Sequence, residues 1–273
     1  RGLVESPNVL TEIHLLGGED CLDNNFGEVR PASISGRVFA EQNLDGIWQP
    51  NEPLLAGVTV QLLDAEGNLL QTTTTNSLGQ YRFTGLLPGL YSVREIQPTG
   101  YLDGPEQVGS LGGYIVLPDT LAGIQLVSGA HGAEYNFSEI LPGRLSGYVF
   151  QDGPSLVLGY GQPVPPIESV RDGQFTPDDT PLAGVTVELW RDGRLVAQST
   201  TDANGFFEFT MLHPGNYTLR QVQPSSYLDG IDTAGSLGGL ADSRSDTISA
   251  ISVAPGANGT NYWFSEVVVE WLP

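Results

Sequence analysis

Ser35-Gly36-Arg37-Val38-Phe39 and Leu55-Ala56-Gly57-Val58-Thr59-Val60-Gln61-Leu62 return later in the same chain. They recur as Ser146-Gly147-Tyr148-Val149-Phe150 and Leu182-Ala183-Gly184-Val185-Thr186-Val187-Glu188-Leu189. The spacing is 111 residues for the first pair (150 − 39) and 127 for the second (187 − 60). Tyr101-Leu102-Asp103-Gly104 likewise recurs at Tyr227 to Gly230, and Tyr135-Asn136-Phe137-Ser138-Glu139 as Tyr262-Trp263-Phe264-Ser265-Glu266. A fixed internal repeat means one folding unit used twice. The units run over 33–142 and 143–268, followed by a tail at 269–273. The change in spacing places an inserted loop at 153–168 of the second unit, between Asp152 and Asp172.

Within each unit the apolar period is two. Val58, Val60 and Leu62 alternate with Thr59 and Gln61, Tyr81 and Phe83 flank Arg82, and Tyr91 and Val93 flank Ser92. That is the pattern of half-buried strands. Gly and Pro separate the runs at Glu66-Gly67-Asn68, Leu78-Gly79, Pro88-Gly89, Asp192-Gly193, Asn204-Gly205 and Pro214-Gly215, which are turn positions. About seven short strands per hundred-odd residues predict an all-β chain of two tandem immunoglobulin-like or transthyretin-like β-sandwich domains. A further partial copy precedes them. Ile13 to Gly18 and Asn25 to Glu28 match Ile124 to Gly129 and Asn136 to Glu139 at the same spacing, 111. Residues 1–32 are therefore expected to be the closing strand of a preceding or neighbouring repeat.

Composition narrows the function classes. The 273 residues carry 32 acidic and 11 basic side chains, a net charge of −21, and every basic residue is Arg. Phosphate binding needs basic surface, so nucleic acid is not an expected partner. An acidic chain is instead a natural host for divalent cations. Cys21 is the single cysteine, so no internal disulfide can form. No apolar run reaches the roughly 20 residues of a membrane helix. The chain opens on Arg1 without a signal peptide, which reads as a mature or excised fragment.

The opening Ser-Gly-x-Val-Phe, the acidic loop running into Ala-Gly-Val-Thr-Val, Gly-Gln-Tyr-Arg-Phe, Gly-Phe-Phe-Glu-Phe, Pro-Gly-x-Tyr, Gln-Pro-x-x-Tyr-Leu-Asp-Gly and Asn-Phe-Ser-Glu occur together between Ile34 and Glu266. In this combination the sequence resembles the SdrD B-like domains, the B-type repeats of bacterial serine-aspartate repeat surface proteins, related to the B domains of collagen adhesins. The resemblance implies an extracellular or cell-surface bacterial protein in which such domains are calcium-stiffened stalks or spacers. Related collagen-adhesin B domains often hold a Lys–Asn isopeptide crosslink. This chain has no Lys with which to make one.

Two loops carry the expected Ca2+ ligands. From Glu41 to Glu52, oxygen donors fall at Glu41, Asn43, Asp45, Gln49 and Glu52, with Gly46 at the sixth position and the Ile47 carbonyl at the seventh. This is the spacing of a twelve-residue calcium loop, in which Gly allows the sharp turn and the last Glu binds through both oxygens. Glu41 stands where Asp is usual and Gln49 where an acid is usual; the competing reading is a solvated acidic turn. In the second unit Asp152, Asp172, Gln174, Thr176 and Asp179 take the corresponding places, with the insertion separating Asp152 from the rest. The insertion itself, with Leu156 to Leu158, Tyr160 and Pro163 to Pro166, reads as a self-packed surface loop. Asp103, Asp229 and Asp232 could add oxygens, but each stands in or beside an Asp-Gly turn sequence that needs no metal.

No catalytic set emerges. His14, His131 and His213 do not align with one another, and there is no Gly-x-Ser-x-Gly, His-Glu-x-x-His or phosphate loop. The chain is expected not to be an enzyme. The first functional reading is a spacer or filament element whose partners are neighbouring repeats or copies of itself, joined head to tail or by strand donation. The alternative is an adhesive module that binds a protein or glycan through the insertion or through Trp48 and Trp190.

Overall fold

The computed structural model describes residues 3–6 and 9–273. A hairpin comes first, β1 (Leu3–Ser6) and β2 (Val9–Thr11). The first unit comprises β3 (Ala32–Glu41), β4 (Thr59–Leu63), β5 (Leu69–Thr74), β6 (Gln80–Leu86), β7 (Gly89–Glu95), β8 (Leu102–Asp103), β9 (Tyr114–Val116), β10 (Thr120–Leu126), β11 (His131–Gly132) and β12 (Phe137–Ile140). One sheet has the order β5-β4-β7-β10-β9, the other β11-β3-β12-β8 with β6 also on β3. The first and last strands pair in parallel, Phe137 with Val38 through Ile140 with Glu41.

The second unit repeats this plan. It contains β13 (Gly143–Gln151), β14 (Leu156–Gly159), β15 (Thr180–Pro181), β16 (Thr186–Arg191), β17 (Arg194–Thr200), β18 (Phe206–Leu212), β19 (Gly215–Gln221), β20 (Leu228–Asp229), β21 (Leu240–Asp242), β22 (Thr247–Val253), β23 (Asn258–Val267) and β24 (Val269–Leu272), plus one short 3-10 helix, Ile167–Ser169. Its sheets are β17-β16-β19-β22-β21 and β15-β13-β23-β20, with β18 on β13. The inserted loop and the C-terminal residues meet: β14 and β24 form a separate parallel ribbon, Leu156 opposite Val269 through Gly159 opposite Leu272.

Each sandwich buries the inward half of its alternating residues. Val60, Leu62, Tyr81, Phe83, Val93, Ile124 and Phe137 fill the first core, and Val187, Leu189, Phe207, Phe209, Leu219, Ile251 and Phe264 the second. At roughly 25 cal/mol per Å² of apolar area, these faces supply most of what holds the two sheets of each unit together. Between β12 and β13 lie only Leu141 and Pro142, and the Leu141 carbonyl accepts a 2.7 Å hydrogen bond from the Gly256 amide.

Candidate metal centres

The loop from Glu41 to Glu52 leaves β3 at its C-terminal end. Gly46 (φ 70°) takes the left-handed turn that the loop requires. Glu41 is buried, and its carboxylate closes the loop from inside: Oε1 accepts from the amides of Gln42, Asn43 and Leu44 at 2.9–3.0 Å, and Oε2 from Gly46 at 2.8 Å. Glu52, also buried, accepts from Gln42 (3.0 Å) and Gln49 (2.8 Å). Asp45 lies on the exposed side, where the Ile47 amide and the side-chain amides of Asn43 and Gln49 hold its carboxyl below the usual range. Ile47 is itself exposed. The structure thus brings the first set of expected ligands into one loop, with Glu41 and Glu52 occupied as acceptors for backbone amides.

In the second unit Asp152 accepts from the Gly173 amide (2.8 Å) and Asp172 from Gln174 (2.9 Å). Asp179 accepts from Gly153 (2.7 Å) and Thr176 (2.6 Å). A cleft of about 510 Å³ runs past Asp152, Asp172, Thr176 and Asp179, and Arg171 shares it. A guanidinium there competes with any cation. Because Glu41 alone answers four backbone amides, Glu41→Ala is expected to destabilise the first unit by about 3 kcal/mol even in excess chelator. Denaturant unfolding with and without chelator checks this; a loss seen only in calcium would show that Glu41 acts chiefly as a ligand.

The described residues whose carboxylate oxygens converge within 4.8 Å lie elsewhere: Glu95 with Asp119 and Glu139, and Asp103 with Glu106 and Asp119. Together they form one five-acid cluster at an end of the first sandwich. Topology assembles it from four segments. Glu95 ends β7, and its amide donates to the Asp119 carbonyl (2.9 Å); Asp103 on β8 pairs with Glu139 on β12; Glu106 follows β8. The second unit places Gln221, Asp229, Asp232, Asp246 and Glu266 at the same five positions. Gln221 again donates its amide to the Asp246 carbonyl (2.9 Å), and Asp229 again pairs with Glu266.

Part of each set is packed away from water without enough partners, while Asp103 and Asp229 are exposed. Glu95 is 2% exposed and neither of its oxygens has a hydrogen-bond partner; Oε1 of Glu139, 0% exposed, has none either. Oδ2 of Asp232, 7% exposed, and Oε1 of Gln221 share that condition. Burial first, then the neighbouring charges of Glu139 and Asp119, push Glu95 up to about 10. Burial likewise raises Glu139 to about 8, Asp119 to about 7, Asp232 to about 8, Asp246 to about 6 and Glu266 to about 7. Gln97 caps Glu139, while Gln221 and Gln223 cap Glu266. None of the ion pairs among the described residues, Arg37–Glu134, Arg144–Glu208 and Arg191–Asp192, reaches either cluster. In the first unit the orphaned, buried oxygens of Glu95 and Glu139, converging with Asp119, fit a hard divalent cation such as Ca2+, which takes six to eight oxygens. The fit is fuller in the first unit, where Glu95 stands in place of the neutral Gln221.

The predicted loops adjoin these clusters. A Cβ on Gly46 would lie 3.0 Å from Pro105, between Asp103 and Glu106, and one on Gly173 would lie 2.7 Å from the Ile231 carbonyl, next to Asp232. Of these positions the sequence marks Asp103, Asp229 and Asp232 as candidate oxygens with a turn expected at each; Asp103 and Asp229 sit in short strands instead. A signal for two others was present. Period two carries Glu95 inward with Tyr91 and Val93, and Glu139 inward with Phe137.

Two tandem immunoglobulin-like sandwiches, the first with a partly buried acid cluster, define a class of repeat module. A family model described as the SdrD B-like domain matches residues 32–112 and 168–263, and the chain belongs to that family. It is 29% identical over 270 residues to serine-aspartate repeat-containing protein D of Staphylococcus aureus (strain Newman), covering 93% of this chain and 19% of that protein. Protein F of Staphylococcus epidermidis is 28% identical over 214 residues, covering 76% of this chain and 11% of that one. The chain therefore spans a fifth or less of the length of these relatives. Among solved structures, a streptococcal ancillary pilin aligns at TM-score 0.37 and 15% identity, covering 97% of this chain and 73% of that chain. No helix among the described residues is long and apolar enough to cross a membrane.

Proposed function

We propose that this chain is a non-enzymatic, extracellular spacer segment of a bacterial cell-surface protein, stiffened in each unit by calcium. The observation that carries the reading is the converging acid cluster of the first sandwich with its orphaned, buried oxygens, echoed in the second by four acids and Gln221 at the corresponding positions. A cation there ties β7, β8, the turn before β10, and β12 of the first unit together, so that the sandwich end cannot open one strand at a time. The loops at Glu41–Glu52 and Asp152–Asp179 are a second place where calcium would act. Their acids are already committed to backbone amides, so the clusters have the greater need of a counter-charge.

Elemental analysis and thermal melts test the reading. Calcium at about a hundredfold over its Kd stabilises by about 2.7 kcal/mol, which raises the melting temperature of a unit this size by about 10 °C or more. Identical melts in calcium and in excess chelator, with no metal bound, reject it.

A second reading, an adhesive module, has its own observation: an open cleft of about 400 Å³ in the second unit with Trp190, Tyr217 and Arg220 along it. An aromatic wall with a guanidinium suits a glycan or an acidic peptide. Trp48, by contrast, packs under Arg37, whose guanidinium carbon is 4.3 Å from its ring centroid.

A further inference from the structure

Residues 3–6 and 9–31 reproduce a series of backbone features of the first unit from β9 to its exit after β12. In the hairpin β1–β2, Leu3 faces Thr11 and Val4 faces Leu10; 111 residues on, Tyr114 faces Ala122 and Ile115 faces Leu121 in β9–β10. The left-handed residues recur at the same places in three copies. Glu12 (54°) corresponds to Gly123 (73°) and Ala250 (56°), Gly18 (81°) to Gly129 (75°) and Gly256 (69°), and Asp23 (64°) to Glu134 (59°) and Asn261 (62°). Non-glycine residues at positive φ are uncommon, so matched sites in all three copies mark one conformation. The turn bond from Glu19 N to Leu16 O (3.1 Å) matches Ala130 to Val127 and Ala257 to Ala254 (3.0 Å each). The exit is also the same: Gly129 N holds Arg30 O (2.9 Å) as Gly256 N holds Leu141 O.

Three of the apolar side chains are identical in the two copies and differ in what covers them. Ile13, Leu15 and Phe26 are 41%, 55% and 54% exposed; their counterparts Ile124, Leu126 and Phe137 are 0%, 0% and 1%. A size exchange accompanies this. Where the first unit sets Gly132 against the Tyr135 ring, with room for a Cβ only 2.9 Å from it, the N-terminal copy has Cys21 beside Asn24, the amide nitrogen 2.9 Å from Sγ. A larger residue at one position is matched by a smaller one at the other, as a packed pair requires.

We infer that residues 3–31 are the closing strands of a further sandwich unit of this same kind, and that their apolar surface is covered by that unit's opening strands, the counterparts of β3 and β7, on the N-terminal side of the same polypeptide. In the first unit β7 pairs with β10 at Ile124 and Leu126, and β3 pairs with β12 at Phe137. A second copy of this chain offers no such place, because β10 already lies between β7 and β9, and β12 between β3 and β8. The inference is independent of whether the acid clusters take calcium.

Placing a duplicate of residues 32–113 directly ahead of Leu3 recreates the strand order of a whole unit. In that longer chain the amides of residues 9–29 should gain about a hundredfold or more in hydrogen-exchange protection, and alkylation of Cys21 should slow at least about tenfold relative to the 273-residue chain. Phe26→Asp should abolish both changes in the longer chain while leaving the melting of the 273-residue chain unaltered. As a second arm, residues 3–29 substituted for 114–140 should still close the first unit. Unchanged exchange and labelling in the longer chain together with an unfolded first unit in the graft overturn the inference. So does self-association of the 273-residue chain that disappears when residues 1–31 are deleted, which would assign the surface to a second copy.

Discussion

Stripped of divalent cations, the protein is expected to lose stability as the pH rises from about 5 to about 8, the reverse of an ordinary protein with salt-bridged carboxylates. Glu95, Glu139 and Asp119 have folded-state values of about 10, about 8 and about 7, against 4.5, 4.5 and 3.8 for the unperturbed groups. The folded state therefore holds more protons than the unfolded state across this window, and stability falls as those protons are lost. One pKa unit corresponds to about 1.4 kcal/mol, so even after allowance for coupling within the cluster the loss is on the order of 3 kcal/mol. With calcium bound as proposed, the sign is expected to change: an ion held by the ionised carboxylates would stabilise more as the pH rises, so the profile should flatten or rise. Denaturant midpoints at about pH 5 and about pH 8, in chelator and in millimolar calcium, read both effects. A chelated protein that becomes more stable with rising pH would contradict the buried cluster. Glu95→Gln, which gives the first unit the residue that the second carries as Gln221, should remove much of the pH dependence of the first unit and weaken its response to calcium.

The largest effect of a single methyl group is expected at Gly36 and Gly147. A Cβ on Gly36 would stand 1.7 Å from the Tyr135 carbonyl oxygen and 2.9 Å from the Tyr81 hydroxyl; on Gly147 it would stand 1.7 Å from the Tyr262 carbonyl oxygen. Backbone meets backbone here, so no rotamer change gives relief. The Tyr135 carbonyl is further fixed by a 2.6 Å hydrogen bond from the Tyr81 hydroxyl, and the Tyr135 amide by the Ser35 carbonyl at 3.2 Å. Gly36→Ala should cost its unit about 4 kcal/mol, a large part of the about 5–15 kcal/mol that holds a domain together. Hydrogen exchange resolved by unit is the measurement. The first unit should lose protection while the second keeps it, and Gly147→Ala should do the converse. Protection unchanged in both would mean that the crossing of β3 with the chain at Tyr135 is looser than described.

The sandwiches were legible because their cause is local. Val58-Thr59-Val60-Gln61-Leu62 alternates wherever it is placed, and its recurrence at Val185 to Leu189 shows that the fold is used twice. The loops at Glu41 and Asp152 were legible for the same reason, since their acids and turn glycines are sequence neighbours, except where the insertion intervenes. The clusters were not. Glu95, Glu106, Asp119 and Glu139 meet only after β7, β10 and β12 have been ordered within two different sheets, and no spacing along the chain encodes that meeting. Gln221 hides the repetition further, because in sequence it reads as an unremarkable polar residue at the end of a strand.

The parallel pairing of first and last strands has a mechanical consequence. A pull on the two ends of a unit draws β3 and β12, or β13 and β23, along each other in opposite directions, so the bonds from Phe137–Val38 to Ile140–Glu41 are sheared together instead of being unzipped in turn. With only Leu141 and Pro142 between β12 and β13, tension leaving one such clamp enters the next with almost no slack to absorb it. Each acid cluster places Glu139 or Glu266 on the last strand of its clamp, so a bound cation would set the force at which that clamp yields.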